Sequence, residues 1–337
     1  MPSDYGFINA RVKGLKAGLL SREFFSEVLD SSDFAAFMAL MGQSAYSHDL
    51  EESQTRNAGI RAVDSAVARN FYRMTQNLMH LADGTPGQLV GLMLLRYDLA
   101  NIKAIARAKH AGRGIDSTQD ALFPAGRLKP AVLDVLAAAS DMAAVAQALL
   151  STGTPLRSAF FRAAAQYQSD SDLYALEVAL DRSYYTSVFT VLKRVSAPSA
   201  FVRHLRREVD ATNLRTALKL RGQDVNDEMF VEGGREITRT LFESVVNDET
   251  SGGLQVLAGT SFGGVGEVGG LSEAESEIRK IVNQSARRMA ANPRDIGVIT
   301  NYLLAKEEEI SRVRLLARGK YYGVDRRELE KELGVDA

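Results

Sequence analysis

The sequence repeats at long intervals, and this repetition restricts the folds that its 337 residues can adopt. Gly18, Gly126 and Gly234 lie 108 residues apart, and an amphipathic segment follows each of them. The interval is much longer than the periods of about 20–50 residues that build solenoids. We therefore predict three similar helical units that pack around a pseudo-threefold axis. The predicted units are residues 1–113, 114–223 and 224–337.

Helical periodicity runs through the sequence, whereas the alternation of apolar and polar residues that is typical of strands is scarce. Residues 34–41 place Phe, Phe, Met and Met at the i, i+3, i+4, i+7 spacing of a helix with one buried face. Short polar stretches that end in Asp33 and Asp141 are typical of helix N-terminal caps. The predicted fold class is therefore all-α. The predicted C-terminal caps of the last helix in each unit are Gly112, Gly222 and Gly319.

The last helix of each unit carries a repeated polar signature, in which an acid is followed three residues later by an amide and five residues later by a base. The three copies are Asp98–Asn101–Lys103, Asp210–Asn213–Arg215 and Glu309–Arg312–Arg314. One reading is a hydrogen-bonded network that joins helices inside each unit. The other is a polar face that each unit presents to a common central partner. The third copy has arginine in place of the amide, which separates its role from that of the other two.

Composition and motifs exclude several kinds of chemistry. Lysine and arginine total 41 and aspartate and glutamate total 42, a balance that argues against a protein that binds nucleic acid. The sequence has no cysteine, no P-loop and no G-x-S-x-G nucleophile motif. No two histidines lie at metal-ligand spacing, so surface or partly buried histidines are expected. We predict no catalytic residue, no metal site and no cofactor. The four histidines are His48, His80, His110 and His204.

A glycine-rich loop from Gly263 to Gly270 formally contains the G-x-G-x-x-G pattern. A dinucleotide site of this type needs a strand before the loop and a helix directly after it. Residues 254–257 could form that strand, although alignment of the repeats places them in a helix. The loop is therefore interpreted as a mobile linker, and a nucleotide-binding enzyme that uses it is the alternative function.

The ends and apolar runs of the sequence predict a soluble protein. Residues 1–18 lack the basic segment and apolar core of a signal peptide. No run approaches the 20 or so apolar residues that a membrane-spanning helix needs. A protein of this kind can still dock on a membrane complex.

Several tracts resemble the C subunit of the bacterial and archaeal V/A-type ATP synthase, whose eukaryotic relative is the d subunit of the vacuolar proton pump. The most specific tract is EVDATNLRTALK at residues 208–219, which contains the second copy of the polar signature. The likeness covers essentially the whole chain. The other tracts are residues 5–13, 94–103, 230–235 and 314–323.

The resemblance implies an all-helical, funnel-shaped protein with no catalytic activity and no bound nucleotide. Such a protein lies on the cytoplasmic face of the membrane, below the proteolipid ring, and receives the foot of the central shaft formed by the D and F subunits. It would therefore belong to the rotor and transmit torque between ring and shaft. A helical scaffold outside any membrane complex is a further alternative.

Charge complementarity would set the register between such an adaptor and its partners. Basic residues on the repeated last helices are the natural candidates for polar contacts with the shaft or the ring. The candidates are Arg96, Lys103, Arg206, Arg215 and Arg314.

Overall fold

A computed structural model describes residues 5–223, 227–247 and 253–333, and within these ranges the chain forms helices and no strand. The prediction of an all-α fold is confirmed. The helices are α1 (Tyr5–Lys16), α2 (Arg22–Asp30), α3 (Phe34–Gly42), α4 (Ser47–Gln54), α5 (Ile60–Leu81), α6 (Gly84–His110), α7 (Ile115–Asp120), α8 (Pro130–Ala138), α9 (Met142–Leu150), α10 (Arg157–Asp170), α11 (Leu173–Leu192), α12 (Ser199–Lys219), α13 (Arg239–Val246), α14 (Leu271–Ala290), α15 (Gly297–Tyr322) and α16 (Arg326–Leu333). Short 3₁₀ turns span Asp227–Met229, Gly253–Leu257 and Gly263–Glu267.

Local capping chemistry explains where two short helices begin. The Asp33 carboxylate accepts a hydrogen bond from the backbone N–H of Ala36 at 2.9 Å, and α3 starts at the next residue after Asp33. Asp141 accepts from the N–H of Ala144 at 2.8 Å at the start of α9. Each carboxylate satisfies a backbone donor that has no partner inside the helix. Both predicted caps are confirmed.

Glycines in the left-handed region follow the three last helices, but the third is not the one predicted. Gly112 and Gly222 have φ angles of +61° and +71° and follow α6 and α12. The predicted third cap, Gly319, is wrong because α15 continues through it to Tyr322. Gly323, with φ +69°, ends that helix instead. Gly319 is buried where a Cβ would overlap with the side chain of Leu329 in α16, so close packing requires the glycine.

The six longest helices come in consecutive pairs, one pair in each predicted unit: α5 and α6, α11 and α12, α14 and α15. The second helix of each pair packs on the first helix of the next pair, so that α6 contacts α11 and α12 contacts α14. The order is cyclic, because α15 contacts α5. The predicted boundary between residues 223 and 224 borders residues 224–226, which lie outside the described residues. The limits of the units, the axis and the funnel shape stay predictions.

Two clusters of buried apolar side chains form the interior. The larger cluster includes Phe37, Phe71 and Phe160 and takes in helices from both ends of the chain. The smaller cluster is built around Phe242 and Phe262. Helix α12 contributes to both, with its N-terminal part in the larger cluster and its C-terminal part in the smaller one.

The glycine-rich segment belongs to the smaller cluster, so its interpretation as a mobile linker is wrong. Phe262 and Val265 are fully buried within it. The candidate strand at residues 254–257 is part of a 3₁₀ turn. A Cβ on Gly266 would come within 2.9 Å of the carbonyl oxygen of Leu254, so this glycine permits a close approach of two backbone segments.

Candidate functional site

The acids of the repeated signature bind the backbone at the start of the following unit. Asp98 in α6 accepts hydrogen bonds from the backbone N–H groups of Arg127 and Leu128, both at 3.0 Å. Asp210 in α12 accepts equivalent bonds just after Gly234. Its donors are the N–H groups of Arg235 at 2.9 Å, Glu236 at 3.1 Å and Ile237 at 3.0 Å. Each acid therefore ties the last helix of one predicted unit to the loop that opens the next.

Two of the repeated glycines are explained by this contact. A Cβ on Gly126 would overlap with the carboxylate of Asp98, and a Cβ on Gly234 would overlap with that of Asp210. Gly18 has no such neighbour, since its nearest atom is a backbone oxygen of Leu15 at 3.4 Å. At two of its three positions, the repeated glycine thus lets an aspartate carboxylate come close to the backbone.

Burial dominates the electrostatics of these acids. Desolvation raises the pKa of Asp98 to about 6, although the hydrogen bonds from Leu128 and Arg127 lower it. Burial likewise raises the pKa of Asp210 against three backbone hydrogen bonds. Because Asp98 is fully buried and Asp210 is 1% exposed, neither carboxylate is open to an incoming ligand.

The amides of the signature form paired hydrogen bonds across the same junctions. Asn101 donates to the carbonyl oxygen of Phe123 at 2.9 Å and accepts from its N–H at 2.7 Å. Asn213 makes the same pair of bonds with Val231, both at 2.8 Å. The third copy has no such clamp: Arg312 pairs with Glu308 and lies over the ring of Phe25. Arginine in place of asparagine therefore replaces a pair of backbone hydrogen bonds with an ion pair and a ring contact.

In its first two copies the signature is a buried network, but it crosses the predicted boundaries between units instead of joining helices inside one predicted unit. That part of the first reading is wrong because the partners of Asp98 and Asn101 lie beyond residue 113. The second reading, a polar face offered to a partner, is wrong for the acids and amides of the first two copies because all four are at most 2% exposed.

The third junction links the two ends of the chain. Glu309 accepts a hydrogen bond from the N–H of Leu20 at 2.6 Å, which repeats the contact of Asp98 and Asp210. It also accepts from the hydroxyl of Tyr46 and from the ammonium of Lys306, each at 2.6 Å. Lys306 lies over the Tyr46 ring and is 4% exposed, so this junction contains a buried ion pair.

Ion pairs recur at all three junctions between equivalent positions. Each base lies nine residues after the acid of the signature, and each acid lies near the start of the long helix on which that base packs. The pairs are Arg107–Glu177 at 2.5 Å, Lys219–Glu275 at 3.3 Å and Arg318–Asp64 at 2.9 Å. The same side-chain contact is therefore made three times in cyclic order.

The five basic residues predicted to contact partners fall into two groups. Three of them pair with acids of this chain: Lys103 with Asp181 at 2.6 Å, Arg314 with Asp64 at 3.0 Å, and Arg96 with Glu307. Arg206 is exposed and Arg215 is half-buried, and neither has an ion-pair partner among the described residues. These two remain open to an outside partner.

A further set of equivalent residues lies two positions before each acid of the signature: Arg96, Glu208 and Glu307. Arg96 donates to Glu307 and, at 3.0 Å, to the hydroxyl of Tyr97. Arg96 and Glu208 line a cavity of about 20 Å³ between α6, α11, α12, α14 and α15. His204 lines the same cavity, and its Nε2 lies 3.6 Å from the Glu208 carboxylate.

Sequence reasoning missed the ion pairs and the Arg96–Glu208–Glu307 set, although a signal for both was present. Extending the alignment of the signature by nine residues forward reaches the bases of the ion pairs, and extending it by two residues backward reaches Arg96, Glu208 and Glu307. His204 also differs from the expectation for histidines, because it is 5% exposed and its Nδ1 has no hydrogen-bond partner. The other three are exposed.

The described residues contain no cluster of three or more histidine and acidic side chains placed to hold a metal ion. In the same ranges, no helix combines the length and apolar composition needed to cross a bilayer. The glycine-rich segment also lacks the chemistry of a phosphate site. Glu273, in the first turn of α14, accepts a hydrogen bond from the N–H of Gly269 at 3.0 Å and places a negative charge where a phosphate would bind.

Comparison with known proteins gives one family. Residues 8–332 match the family described as the ATP synthase (C/AC39) subunit. The chain is 34% identical to the V-type ATP synthase C subunit of Thermus thermophilus over an alignment of 334 residues. That alignment covers 99% of each chain. It is 30% identical over 334 residues to that of Deinococcus radiodurans, covering 99% of this chain and 92% of the relative. The A-type ATP synthase C subunit of Haloquadratum walsbyi is 24% identical over 343 residues, 97% of each chain. The chain therefore belongs to the ATP synthase C/AC39 subunit family.

Proposed function

We propose that this chain is the non-catalytic adaptor of a rotary V-type ATP synthase, in which it joins the membrane proteolipid ring to the central shaft. It acts as a peripheral rotor component on the cytoplasmic face of the membrane. Its partners are the ring subunits and the D and F subunits of the shaft. Proton flow through the ring then drives ATP synthesis, or ATP hydrolysis drives proton flow in reverse.

The observation that carries this proposal is the cyclic set of contacts between the long helices, in a chain whose relatives are named as components of V-type and A-type ATP synthases. A part that transmits torque must resist shear between its segments. Hydrogen bonds that the carboxylates of Asp98, Asp210 and Glu309 accept link each proposed unit to the next and close the series from the last unit to the first. Densely packed helices deform less than loops, so a closed series of this kind resists shear.

The same proposal includes three units at residues 1–113, 114–223 and 224–337, arranged about a pseudo-threefold axis as a funnel. The shaft foot enters the mouth, and the ring meets short loops or helix ends. Arg206 and Arg215 are the favoured partner contacts because neither has an ion-pair partner among the described residues. Arg96, Lys103 and Arg314 contribute by joining α6 to α15, α6 to α11 and α15 to α5.

Coupling of proton movement to ATP hydrolysis tests the function. Inside-out membrane vesicles from cells that lack this chain are supplied with ATP, and both proton uptake and phosphate release are measured. We expect little ATP-dependent proton uptake without the chain, and recovery when the purified full-length chain is added. A charge-reversed Arg206→Glu/Arg215→Glu variant is expected to restore less uptake than the wild type.

Normal proton uptake in vesicles without the chain would contradict the proposal and favour a scaffold outside the complex. A nucleotide-dependent enzyme is disfavoured because the glycine-rich segment packs into the interior and carries Glu273 at the adjacent helix start. Micromolar binding of ATP or NAD to the isolated chain in titration calorimetry would restore that alternative.

A further inference from the structure

The set formed by Arg96, Glu208 and Glu307 has two carboxylates and one cation. The Arg96 guanidinium forms an ion pair with Glu307 and donates a hydrogen bond to the hydroxyl of Tyr97. Glu307 also accepts a hydrogen bond from the Tyr97 hydroxyl. The second carboxylate, Glu208, interacts electrostatically with Arg96 across the cavity that both residues line. No lysine or arginine of the described residues lies within ion-pair distance of Glu208, although its side chain is only 21% exposed.

The histidine beside Glu208 does not supply the missing positive charge. Burial lowers the pKa of His204, which keeps the imidazole neutral near pH 7. Its Nε2 is 3.6 Å from the carboxylate, beyond hydrogen-bond distance, and its buried Nδ1 has no partner. The Glu208 carboxylate and the His204 imidazole thus line one cavity, and no hydrogen bond joins them. Unpaired polar groups of this kind are costly in an interior.

The size of the cavity selects the kind of cation. A space of about 20 Å³ holds about one water molecule. A primary ammonium group is similar in size to water, is positively charged and donates three hydrogen bonds. A planar guanidinium is larger and would need the side chains around it to move.

We propose that Glu208 and His204 form a receiving site for a primary ammonium group, a lysine tip or an amino terminus, carried by a partner protein. The inference rests on the proposed function, because a partner in the rotor supplies the ammonium group. Of the three equivalent positions, Arg96 is itself a cation and Glu307 is paired with it. Among the described residues, no lysine or arginine forms an ion pair with Glu208. One open position among three gives the partner a single preferred rotational setting.

Zero-length crosslinking of the assembled complex tests the site directly. A carbodiimide activates a carboxylate, an adjacent amine displaces the activating group, and the two become joined by an amide. We expect mass spectrometry to find Glu208 joined to a lysine or amino terminus of another protein of the complex. The Glu208→Gln variant should lose this product. Glu27→Gln, which changes an exposed glutamate of α2, should keep it.

Stability and affinity separate this role from a structural one. Because Glu208 has no lysine or arginine partner among the described residues, Glu208→Gln should leave the melting temperature of the free chain unchanged or raise it. The same variant should weaken association with the rest of the complex by about tenfold and reduce its dependence on salt. The matched Glu27→Gln variant should change neither quantity.

Three results would overturn the site. They are a lower melting temperature for Glu208→Gln, crosslinks from Glu208 only to this chain's own lysines, and equal labelling of Glu208 by added glycine ethyl ester in the free chain and in the complex. Protection of Glu208 without any crosslink would overturn the choice of an ammonium group. A wild-type chain that does not associate with the complex would instead overturn the proposed function.

Discussion

Asp98 shows how a single side chain can fix the start of the next segment of the chain. Its two oxygens accept from consecutive backbone N–H groups, and the bond from Leu128 is buried. The same burial makes the charge expensive, so the pKa of Asp98 rises to about 6 despite those bonds. The Asp98 carboxylate therefore fixes the backbone at residues 127 and 128, but burial of its charge lowers the stability of the fold. The size of that loss depends on pH.

The stability of the fold should respond to the protonation of Asp98. Because its pKa is raised from 3.8 to about 6 in the folded chain, protonation contributes stability that is fully present below pH 3.8 and is lost as the pH rises through 6. Between pH 7 and pH 5 the wild type should therefore gain about 1 kcal/mol relative to Asp98→Asn, which does not titrate. Urea unfolding of both proteins at the two pH values measures this difference. If the wild type and Asp98→Asn differed in free energy of unfolding by the same amount at pH 7 and pH 5, Asp98 would not titrate in this range.

Gly126 should tolerate a methyl group far less well than its sequence equivalent Gly18. A Cβ at Gly126 would overlap with Asp98, whereas at Gly18 the nearest atom is 3.4 Å away. Gly126→Ala must displace either the loop or a carboxylate that holds two hydrogen bonds, so we expect a loss of about 2 kcal/mol. Gly18→Ala should change the free energy of unfolding by less than about 0.5 kcal/mol. Thermal unfolding compares the pair, and equal losses would argue against the steric explanation.

At the scale of helices, the contact between α6 and α11 combines two ion pairs of different character. Lys103 and Asp181 are 16% and 17% exposed, and burial raises the pKa of Asp181 although Lys103 opposes the shift. Arg107, one turn further along α6, is 62% exposed, whereas its partner Glu177 is 12% exposed. Exposed pairs contribute little, while the loss of one partner from a buried pair leaves an uncompensated charge.

Removal of Lys103 should therefore destabilise the fold more than removal of Arg107, because most of the Arg107 side chain already lies in water. We expect Lys103→Met to cost about 3 kcal/mol at pH 7 and Arg107→Met less than about 1 kcal/mol. A second substitution, Asp181→Leu, should recover most of the loss in the Lys103→Met background. Denaturant unfolding of the free chain measures all three variants. If Lys103→Met left the free chain unchanged but weakened assembly, Lys103 would be a partner contact instead.

The sequence predicted helices well because their signals are local. Asp33 and Asp141 cap the helices that follow them, since a cap depends on four consecutive residues. Gly319 was assigned wrongly as a cap because its real neighbour, Leu329, belongs to a helix that the repeat alignment did not include. The partners of Asp98 and Asn101 were not predictable either. A repeat shows which positions are equivalent, but not whether each unit contacts itself or its neighbour.

At the scale of the whole molecule, the three junctions differ in one respect. The chain itself connects the first predicted unit to the second and the second to the third, whereas the contacts that join the third to the first are non-covalent. Glu309 lies at the centre of that closing junction with Leu20, Tyr46 and Lys306. The amide clamp of the other junctions is absent here, because Arg312 occupies its position. Closure therefore rests on Glu309 together with other contacts between the two ends of the chain. Lys320 donates to the carbonyl oxygens of Leu29 and Ser31, and Arg318 pairs with Asp64.

Glu309→Gln should open the closing junction before the rest of the molecule unfolds. The substitution removes the charge that compensates Lys306, which is 4% exposed, and such a loss costs about 3–5 kcal/mol. Because the cost falls on one junction, amide hydrogen exchange should rise in α1, α2 and α15 while α11 and α12 stay protected. Glu308→Gln, at an exposed position that pairs with Arg312, serves as the matched control and should leave exchange unchanged. A uniform rise across all helices would mean that the units do not open separately, and that the closing junction unfolds only together with the other two.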